Sequence, residues 1–256
     1  QIFMENKVSL KKIIAIMPMA GKGERFKKFG YIAPKPLIDI SGEPMFLRAA
    51  KTFPKSIKWI LILQKQLSKN SFFLKSLNFF KKKKLILLKK VTKGQAATVL
   101  KSLKYLQKDS IVIIHSCDLQ FSVKMSEIYR KIKKNDVIVF TTKGKKFHHQ
   151  NSNQFSWVRK NFSLKQKNIE ISCKKNFSNK KKKNRVLVGS FIFKNKNILK
   201  NSIQHIFKNK LKIKKEYYID MAAKVSPSIG YRVGEIIVKN YKSWGSHEEL
   251  LNYKNK

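Results

Sequence analysis

Near its amino end the chain reads Ile-Ile-Ala-Ile-Met over Ile13–Met17, and then Met-Ala-Gly-Lys-Gly-Glu-Arg-Phe over Met19–Phe26. The first run is apolar throughout and has the length of a buried β-strand. The second run holds two glycines, Gly21 and Gly23, which let backbone N–H groups approach phosphate oxygens because no side chain stands between them. A strand that leads into such a turn predicts an α/β protein with an anion site beyond its first strand.

The rest of the chain alternates short apolar runs with helical patterns. Strands that are fully apolar and separated by helices indicate a parallel or mixed sheet with helices on both faces. Active sites in such folds lie beyond the carboxyl ends of the strands, which here selects the loops after Met17 and His115. The predicted strands are Ile13–Met17, Trp59–Leu63, Leu85–Leu88, Ser110–His115, Val137–Thr142, Val186–Phe193 and Tyr231–Val238, and the predicted helices are Met45–Phe53, Gln95–Gln107, Met125–Lys133, Ile198–Lys208 and Tyr217–Lys224.

All 256 residues fit one α/β domain, so we expect a single domain over residues 1–256. The pattern becomes polar over about residues 144–184, where we expect a small flap or insertion over the site. Within it, Phe155–Val158 and Ile169–Ile171 are predicted to be antiparallel strands. The charge run Lys180–Lys183 is typical of a solvated turn.

Targeting and redox signals are weak. Two cysteines, Cys117 and Cys173, form neither a disulfide framework nor a zinc-site spacing. No apolar run approaches the roughly 20 residues that cross a bilayer. The segment before Met4 is too short for a secretory signal, and Met4 is a candidate start. These features predict a cytoplasmic protein without membrane insertion.

The formal net charge of +44 first suggests a nucleic-acid binder. Only six of the 58 basic residues are Arg, however, whereas nucleic-acid surfaces favour Arg for its bidentate fork. Lysine is spread along the whole chain beside abundant Ile, Asn and Phe, a composition that A/T-rich codons give. We therefore predict a solvated lysine coat without specific nucleic-acid binding, whose positive field attracts anionic substrates at low salt.

A second cationic element follows the glycine turn at Pro34-Lys35-Pro36-Leu37. Proline on both sides of Lys35 stiffens its backbone, so the ammonium group can be held in one direction. With Arg25 it gives two cations that can reach one polyphosphate. Each close charge pair near a protein surface is worth at most ~4 kcal/mol.

The pattern Gly21-x-Gly23-x-Arg25 followed by Pro34–Leu37 resembles the signature of the sugar-phosphate nucleotidyltransferase family. That resemblance implies a Rossmann-like three-layer α/β/α sandwich around a central mixed, mostly parallel sheet. It also implies a transferase of EC 2.7.7 type that couples a sugar 1-phosphate to an NTP, requires Mg²⁺ and releases pyrophosphate. The resemblance continues in Gly94–Leu100, Ser116–Asp118, Val188–Phe191, Glu216–Asp220 and Ser243–Leu250.

The resemblance also implies roles for individual residues. Three have open alternatives: Gln95 as a polar residue of a helix start, Asp118 as the cap of a following helix, and Asp220 as a structural residue. The implied catalytic residues are Arg25, Lys35 and Asp118; the nucleotide-binding residues are Ala20, Gly21, Gly23, Gly94 and Gln95; the sugar-phosphate-binding residues are Lys174, Gly189 and Glu216; and the metal ligands are Asp118 and, more weakly, Asp220.

The implied chemistry needs no Ser/His/Asp set. A phosphate monoester has a second pKa near ~6, so a sugar 1-phosphate is already an anionic nucleophile without a general base. Charge that builds up on the non-bridging oxygens is offset by Mg²⁺, a hard cation that prefers carboxylates such as Asp118. Catalysis then consists of positioning and charge stabilisation.

Two positions depart from the family pattern. Tyr241–Ser246 lacks the second metal-binding Asp, and Cys173-Lys174 stands where the family has Glu-Lys. Two alternatives therefore stay open: a cytidylyltransferase for a phosphorylated alcohol such as phosphocholine, and a nucleotide-binding homologue with weak turnover. In the first interpretation the product is an activated sugar for surface polysaccharide. Proteins of this fold often self-associate, so a homo-oligomer is one expected state.

Overall fold

The computed structural model describes residues 12–160, 169–177 and 184–254. Met4 and the charge run Lys180–Lys183 lie outside these residues. Within the described ranges, no helix combines the length and the apolar character needed to cross a membrane.

A nine-stranded mixed sheet forms the centre of the described fold. Its inner strands are near-continuous apolar runs because both faces of the sheet are covered. Two separate two-stranded sheets are also present, one made by residues 39–40 and 43–44 and the other by residues 119–122 and 239–243. In chain order the strands are β1 (Ile13–Met19), β2 (Asp39–Ile40), β3 (Glu43–Pro44), β4 (Lys58–Gln64), β5 (Lys82–Leu88), β6 (Ile111–His115), β7 (Leu119–Ser122), β8 (Val137–Lys143), β9 (Ser156–Lys160), β10 (Ile169–Ser172), β11 (Arg185–Phe193), β12 (Val233–Ile237) and β13 (Lys239–Ser243).

The order of the strands brings the loops after β1 and β6 to one edge of the sheet. Parallel pairing joins β6, β1, β4 and β5 in that order, and β12 pairs in parallel with β8. Ile16 of β1 is aligned in parallel with Ile114 of β6, so the carboxyl ends of both strands lie at the same edge of the sheet. Strand β11 runs antiparallel to β6, β8 and β9. The predicted mixed, mostly parallel sheet is confirmed.

Helices connect most of the strands and begin where the local sequence favours it. The longest one starts after Asn195, whose side-chain oxygen accepts the N–H of Ile198 at 2.9 Å and so satisfies a free donor of the first turn. In chain order the helices are α1 (Glu24–Lys27), α2 (Met45–Ala50), α3 (Ser71–Ser76), α4 (Gln95–Leu100), α5 (Met125–Lys134), α6 (Lys146–Gln150), α7 (Lys196–Lys208), α8 (Ile219–Val225) and α9 (His247–Lys254).

These helices cover both faces of the sheet. Successive residues of a strand point to opposite faces, and along β1 the residues Ala15 and Met17 pack with α2, α3 and α5. Ile14 and Ile16 pack on the other face, with α4, α7 and α8. The predicted three-layer α/β/α sandwich is therefore confirmed.

The predicted elements match the observed ones more closely in the strands than in the helices. Each of the seven predicted strands is present, as β1, β4, β5, β6, β8, β11 and β12. The helix predicted over Gln95–Gln107 ends at Leu100, and the helix predicted from Tyr217 begins at Ile219. Strands β9 and β10 form the predicted antiparallel pair of the flap, and β9 also joins β11 of the central sheet. The single domain itself stays a prediction.

Among the strands of the described residues, β5 pairs only with β4, so it is one edge of the central sheet. Its first half consists of Lys82, Lys83 and Lys84, which are all exposed. Lys84 extends over the ring of Tyr105, with 4.9 Å between its Nζ atom and the ring centroid. The open backbone of this edge is thus flanked by ammonium groups.

Ile60 on β4 tests the packing of the layer that holds α4 and α8, because it is fully buried there. We expect Ile60→Ala to lower the free energy of unfolding by about 2–5 kcal/mol, through lost burial and the cavity left behind. Lys58→Ala on the same strand is the control and should stay within about 0.5 kcal/mol, since Lys58 is exposed. Urea denaturation measures both variants, and equal values would contradict the assigned layer.

Candidate active site

The turn after β1 is shaped by contact with Lys35. Gly23 has a φ of 66°, a left-handed conformation that glycine adopts without steric cost. A Cβ atom on Gly23 would lie 3.1 Å from the Cβ of Lys35, so the two segments touch here. A Cβ atom on Gly21 would meet no atom within 4 Å, which leaves its backbone accessible from the cleft. The glycine turn and the Pro-Lys-Pro segment thus form one unit.

An ion pair joins this unit to the end of β6. The Nζ atom of Lys35 donates to the carboxylate of Asp118 and lies 3.5 Å from the carbonyl oxygen of Gly245. Below it lies the buried ring of Phe26, whose centroid is 5.5 Å from the same Nζ atom. Arg25 is exposed on the cleft side of the turn. The lysine ammonium is therefore held between an aromatic floor and a carboxylate.

Asp118 is an ionised carboxylate in a poorly solvated position. Burial alone would raise its pKa, but the ammonium of Lys35 and the more distant guanidinium of Arg25 hold the pKa below its ordinary value of 3.8. The residue after Asp118 begins strand β7 and no helix, so the interpretation of Asp118 as a helix cap is wrong. Its charge is balanced by the ammonium of Lys35.

The β7–β13 pair brings a late segment of the chain to Asp118. Ser243 is aligned with Leu119 in this pair, and the N–H of buried Trp244 donates to the backbone oxygen of Asp118 at 2.8 Å. A Cβ atom on Gly245 would lie 3.4 Å from Oδ2 of Asp118. The family-like closing motif therefore lies directly against the predicted metal ligand.

Glu249 is a site residue that the sequence analysis did not single out. Its Oε2 atom lies 3.0 Å from the place of a Cβ on Gly245, on the same side as the Asp118 carboxylate. It accepts the N–H of Ser246 at 3.1 Å, and Ser246 in turn caps the N–H of Glu249. Burial raises the pKa of Glu249, and the charge of Asp118 raises it further. In the sequence, the spacing Ser246-x-x-Glu249 has the form of a capping box. The sequence gives no sign that Glu249 lies near Asp118.

The predicted nucleobase segment packs against the segment that holds Glu216. Gly94 has a φ of 112°, and a Cβ there would lie 2.6 Å from the backbone N of Tyr217. Backbone bonds from Tyr217 N–H to Lys93 and from Ala96 N–H to Tyr217, both 2.9 Å, fix this contact. Only glycine fits at this crossing, which explains why it precedes helix α4.

Gln95 and Gly189 are connected through Ser116. The side-chain amide of Gln95 donates to Ser116 Oγ at 3.4 Å, and this hydroxyl donates to the carbonyl of Gly189 at 3.0 Å. Gln95 thus directs its amide along the cleft floor toward the predicted sugar side. The nucleotide-binding role of Gln95 and its alternative at the helix start both stay predictions.

The opposite wall carries Lys174 and Asp220. The Nζ atom of Lys174 donates to the carbonyl of Gln154 at 3.0 Å and lies 5.5 Å from the ring centroid of Tyr218. Asp220 is buried and accepts the hydroxyl of Ser156 at 2.5 Å. This bond supports the structural interpretation of Asp220, whereas Asp118 is the carboxylate that the structure joins to Lys35.

Burial and electrostatics also define this wall. Burial raises the pKa of the Cys173 thiol, and the nearby charge of Asp220 raises it further, so the thiol stays neutral. Burial and the Glu216 carboxylate together raise the pKa of Tyr218 to about 12. Tyr218 therefore offers a neutral hydroxyl to the cleft, next to Lys174 and Glu216.

A single cleft of about 1010 Å³ collects these groups. Within the described residues, no three His, Cys, Asp or Glu side chains form a ready-made metal cluster. The individual roles stay predictions, but every predicted site residue borders this cleft: Ala20, Gly21, Gly23, Arg25, Lys35, Gly94, Gln95, Asp118, Lys174, Gly189, Glu216 and Asp220.

Comparison with known proteins adds to this geometry. No protein-family model matches the chain. No curated protein matches it either. Solved structures do match: a nucleoside-diphosphate-sugar pyrophosphorylase from Vibrio cholerae RC9 has a TM-score of 0.77 at 17% identity, covering 94% of this chain and all of that one (100%).

The chain has the fold of the nucleotidyltransferases. An inositol-1-phosphate CTP transferase from T. maritima matches with a TM-score of 0.68 at 15% identity, over 95% of this chain and 94% of that one. A UDP-glucose pyrophosphorylase complexed with UDP-glucose matches at 0.70 and 15% identity, over 95% and 97% of the two chains. The predicted resemblance is therefore confirmed at the level of the nucleotidyltransferase fold.

Gly94→Ala tests the crossing with Tyr217. The positive φ alone should cost about 1–3 kcal/mol, and the short approach to the Tyr217 backbone should add a further loss because backbone must move. Gly42→Ala is the control, since its φ is +84° but its Cβ would meet nothing within 4 Å. Chemical denaturation should show Gly94→Ala to be the less stable variant; equal losses would contradict the packing described.

Lys35→Met tests the ion pair through its pH dependence. The folded pKa of Asp118 is lowered, so the pair's stabilisation is fully present above the ordinary pKa of 3.8 and is lost as the pH falls through the lowered pKa. We expect a loss of about 3 kcal/mol in unfolding free energy at pH 7. The difference should shrink as the pH falls and should vanish once the pH is below the lowered pKa of Asp118. A loss that is independent of pH would show that the methionine acts through packing alone.

Proposed function

We propose that the chain is a Mg²⁺-dependent nucleotidyltransferase that couples a sugar 1-phosphate to an NTP and releases pyrophosphate. The observation that carries the proposal is the contact of Lys35 with Asp118 beside the glycine turn, at the carboxyl ends of neighbouring parallel strands. Because of this contact, the backbone N–H groups of the glycine turn, the ammonium of Lys35 and the carboxylate of Asp118 are close enough to act on one triphosphate.

The triphosphate fits the turn between Ala20 and Arg25. The backbone N–H groups of the turn are accessible at Gly21 and can face phosphate oxygens. The guanidinium of Arg25 can pair with the same oxygens bidentately. The base then lies toward Gly94 and Gln95, which border the same cleft. Lys35 can stabilise the developing charge of the leaving pyrophosphate, because its ammonium lies beside the glycine turn and borders the same cleft.

The donor groups fit Mg²⁺. Asp118, Glu249 and the hydroxyl of Ser243 are hard oxygen donors that surround the space at Gly245. Proteins usually hold Mg²⁺ through one or two carboxylates together with waters and substrate phosphates, so a three-carboxylate cluster is not required. When bound, Mg²⁺ would supply positive charge at the non-bridging oxygens of the α-phosphate.

The acceptor fits the wall of Lys174, Gly189 and Glu216. The ammonium of Lys174 can release its carbonyl partner Gln154 for a phosphate, and Gly189 borders the same cleft on the side where the sugar would lie. Neutral Cys173 cannot replace a carboxylate toward sugar hydroxyls, so Glu216 is the candidate for that contact. The sugar 1-phosphate attacks the α-phosphorus as an anion, the P–O bond to the β-phosphate breaks, and pyrophosphate leaves.

A phosphorylated alcohol is the second candidate acceptor. The T. maritima structure that shares the fold is described as an inositol-1-phosphate CTP transferase, and the Lys174 wall would bind any phosphomonoester. We place the sugar 1-phosphate first and propose a cytoplasmic role in making activated sugars for surface polysaccharide. A binding protein without turnover is the third possibility.

Pyrophosphate release separates these candidates. The purified chain would be incubated with Mg²⁺ and each of the four NTPs, combined with glucose 1-phosphate, galactose 1-phosphate, mannose 1-phosphate, inositol 1-phosphate or phosphocholine. Release that depends on a sugar 1-phosphate supports the proposal, and release only with inositol 1-phosphate or phosphocholine supports the second candidate. Nucleotide binding without release in every combination would overturn the transferase proposal.

Asp118→Asn tests the carboxylate directly. The amide keeps the size of the side chain but loses the charge, and we expect kcat to fall at least about 10²-fold. Asp39→Asn is the control, because Asp39 is exposed on the short strand β2. Thermal unfolding should show that both variants are folded. Activity of Asp118→Asn at the level of Asp39→Asn would contradict the assignment of the site.

A further inference from the structure

Two carboxylates face the same small space at Gly245. A Cβ atom on Gly245 would lie 3.0 Å from Oε2 of Glu249 and 3.4 Å from Oδ2 of Asp118. The two oxygens are therefore separated by no more than the sum of these distances. Because residue 245 is glycine, the space between them stays open where any other residue would fill it.

A cation already occupies one side of this space. The ammonium of Lys35 binds Asp118 and lies 3.5 Å from the carbonyl oxygen of Gly245. One positive charge thus stands beside two carboxylates. In the proposed reaction the triphosphate offers Lys35 a second anionic partner, so the ammonium can leave Asp118 and a divalent ion can replace it without leaving a carboxylate unpaired.

Local contacts fix the direction of Glu249. Its carboxylate accepts the backbone N–H of Ser246 at 3.1 Å and also the hydroxyl of Ser243. Ser243 Oγ itself lies 3.6 Å from the place of a Cβ on Gly245. The donor set is thus two carboxylates and a hydroxyl, all hard oxygen ligands of the kind that Mg²⁺ and Mn²⁺ prefer.

We propose that Glu249 is the second carboxylate of the divalent-cation site, opposite Asp118, and that Ser243 and Ser246 position it there. The inference rests on the proposed function, because the triphosphate is what draws Lys35 away from Asp118. It goes beyond that function in assigning to the first turn of α9 a part in holding the metal. The segment Tyr241–Ser246 carries no carboxylate for the metal, and Glu249 of the adjacent helix would supply one instead.

Glu249→Gln isolates this role. The amide oxygen of glutamine can still accept the Ser246 N–H, so the start of α9 is kept while the negative charge is lost. The matched control is Glu248→Gln, which removes the same charge from the same helical turn at an exposed position. Binding of Mn²⁺ would be measured by electron paramagnetic resonance of the free ion, for the protein alone and with inorganic tripolyphosphate. Thermal unfolding would show that each variant is folded.

The expected result is an about tenfold or greater loss of Mn²⁺ affinity in Glu249→Gln when tripolyphosphate is present. Glu248→Gln should change the affinity less than about twofold, because it alters only the electrostatic field around the site, which salt screens. In the Glu249→Gln background, Ser243→Asp should restore part of the affinity, because position 243 faces the same space. A structural role of Glu249 alone would move the unfolding temperature but not the Mn²⁺ affinity.

Equal Mn²⁺ affinity in the two glutamine variants overturns the inference. That result would leave the proposed function intact if pyrophosphate release is observed, because Asp118 could then hold the metal with substrate oxygens. Conversely, a chain that releases no pyrophosphate but loses Mn²⁺ affinity only in Glu249→Gln would contradict the proposed function and support the metal site. The two failures are therefore distinguishable.

Discussion

The ion pair between Lys35 and Asp118 is the contact on which the site depends. It joins residues 83 positions apart and links the proline-flanked segment to the end of the central strand β6. The backbone of Asp118 also receives Trp244, which brings the closing segment to the same point. A poorly solvated carboxylate needs a cation, so the fold supplies one internally. The site is thereby kept charge-balanced.

Much of the architecture could be predicted from the sequence because burial on both faces leaves a strong local signal. Runs such as Ile13–Met17 and Trp59–Leu63 are apolar at every position, and only a covered sheet has that pattern. Helix ends were less predictable: α4 ends at Leu100 although the apolar spacing continues to Gln107. After Leu100 the chain tightens into turns: the N–H and the hydroxyl of buried Ser102 both donate to the Val99 carbonyl, a change that apolar spacing does not encode.

The candidate site was predictable where the residues have unusual local chemistry. Gly23, Lys35 and Asp118 stand out by glycine spacing, flanking prolines and position at a strand end. Glu249 did not, because its spacing from Ser246 already has a complete local explanation as a capping box. Its nearness to Asp118 arises from the pairing of β7 with β13, which aligns Ser243 with Leu119. Such long-range placement leaves no periodic trace in the sequence.

The three lysines at the start of β5 have a consequence for how copies of this protein meet. An unpaired sheet edge is a template for adding a strand from a neighbouring chain, and lysine is a common safeguard against such pairing. A second copy that joined here would bring two rows of ammonium groups within a few ångströms of each other. The excess of lysine, read first as a product of composition, thus also protects this border against edge-to-edge aggregation.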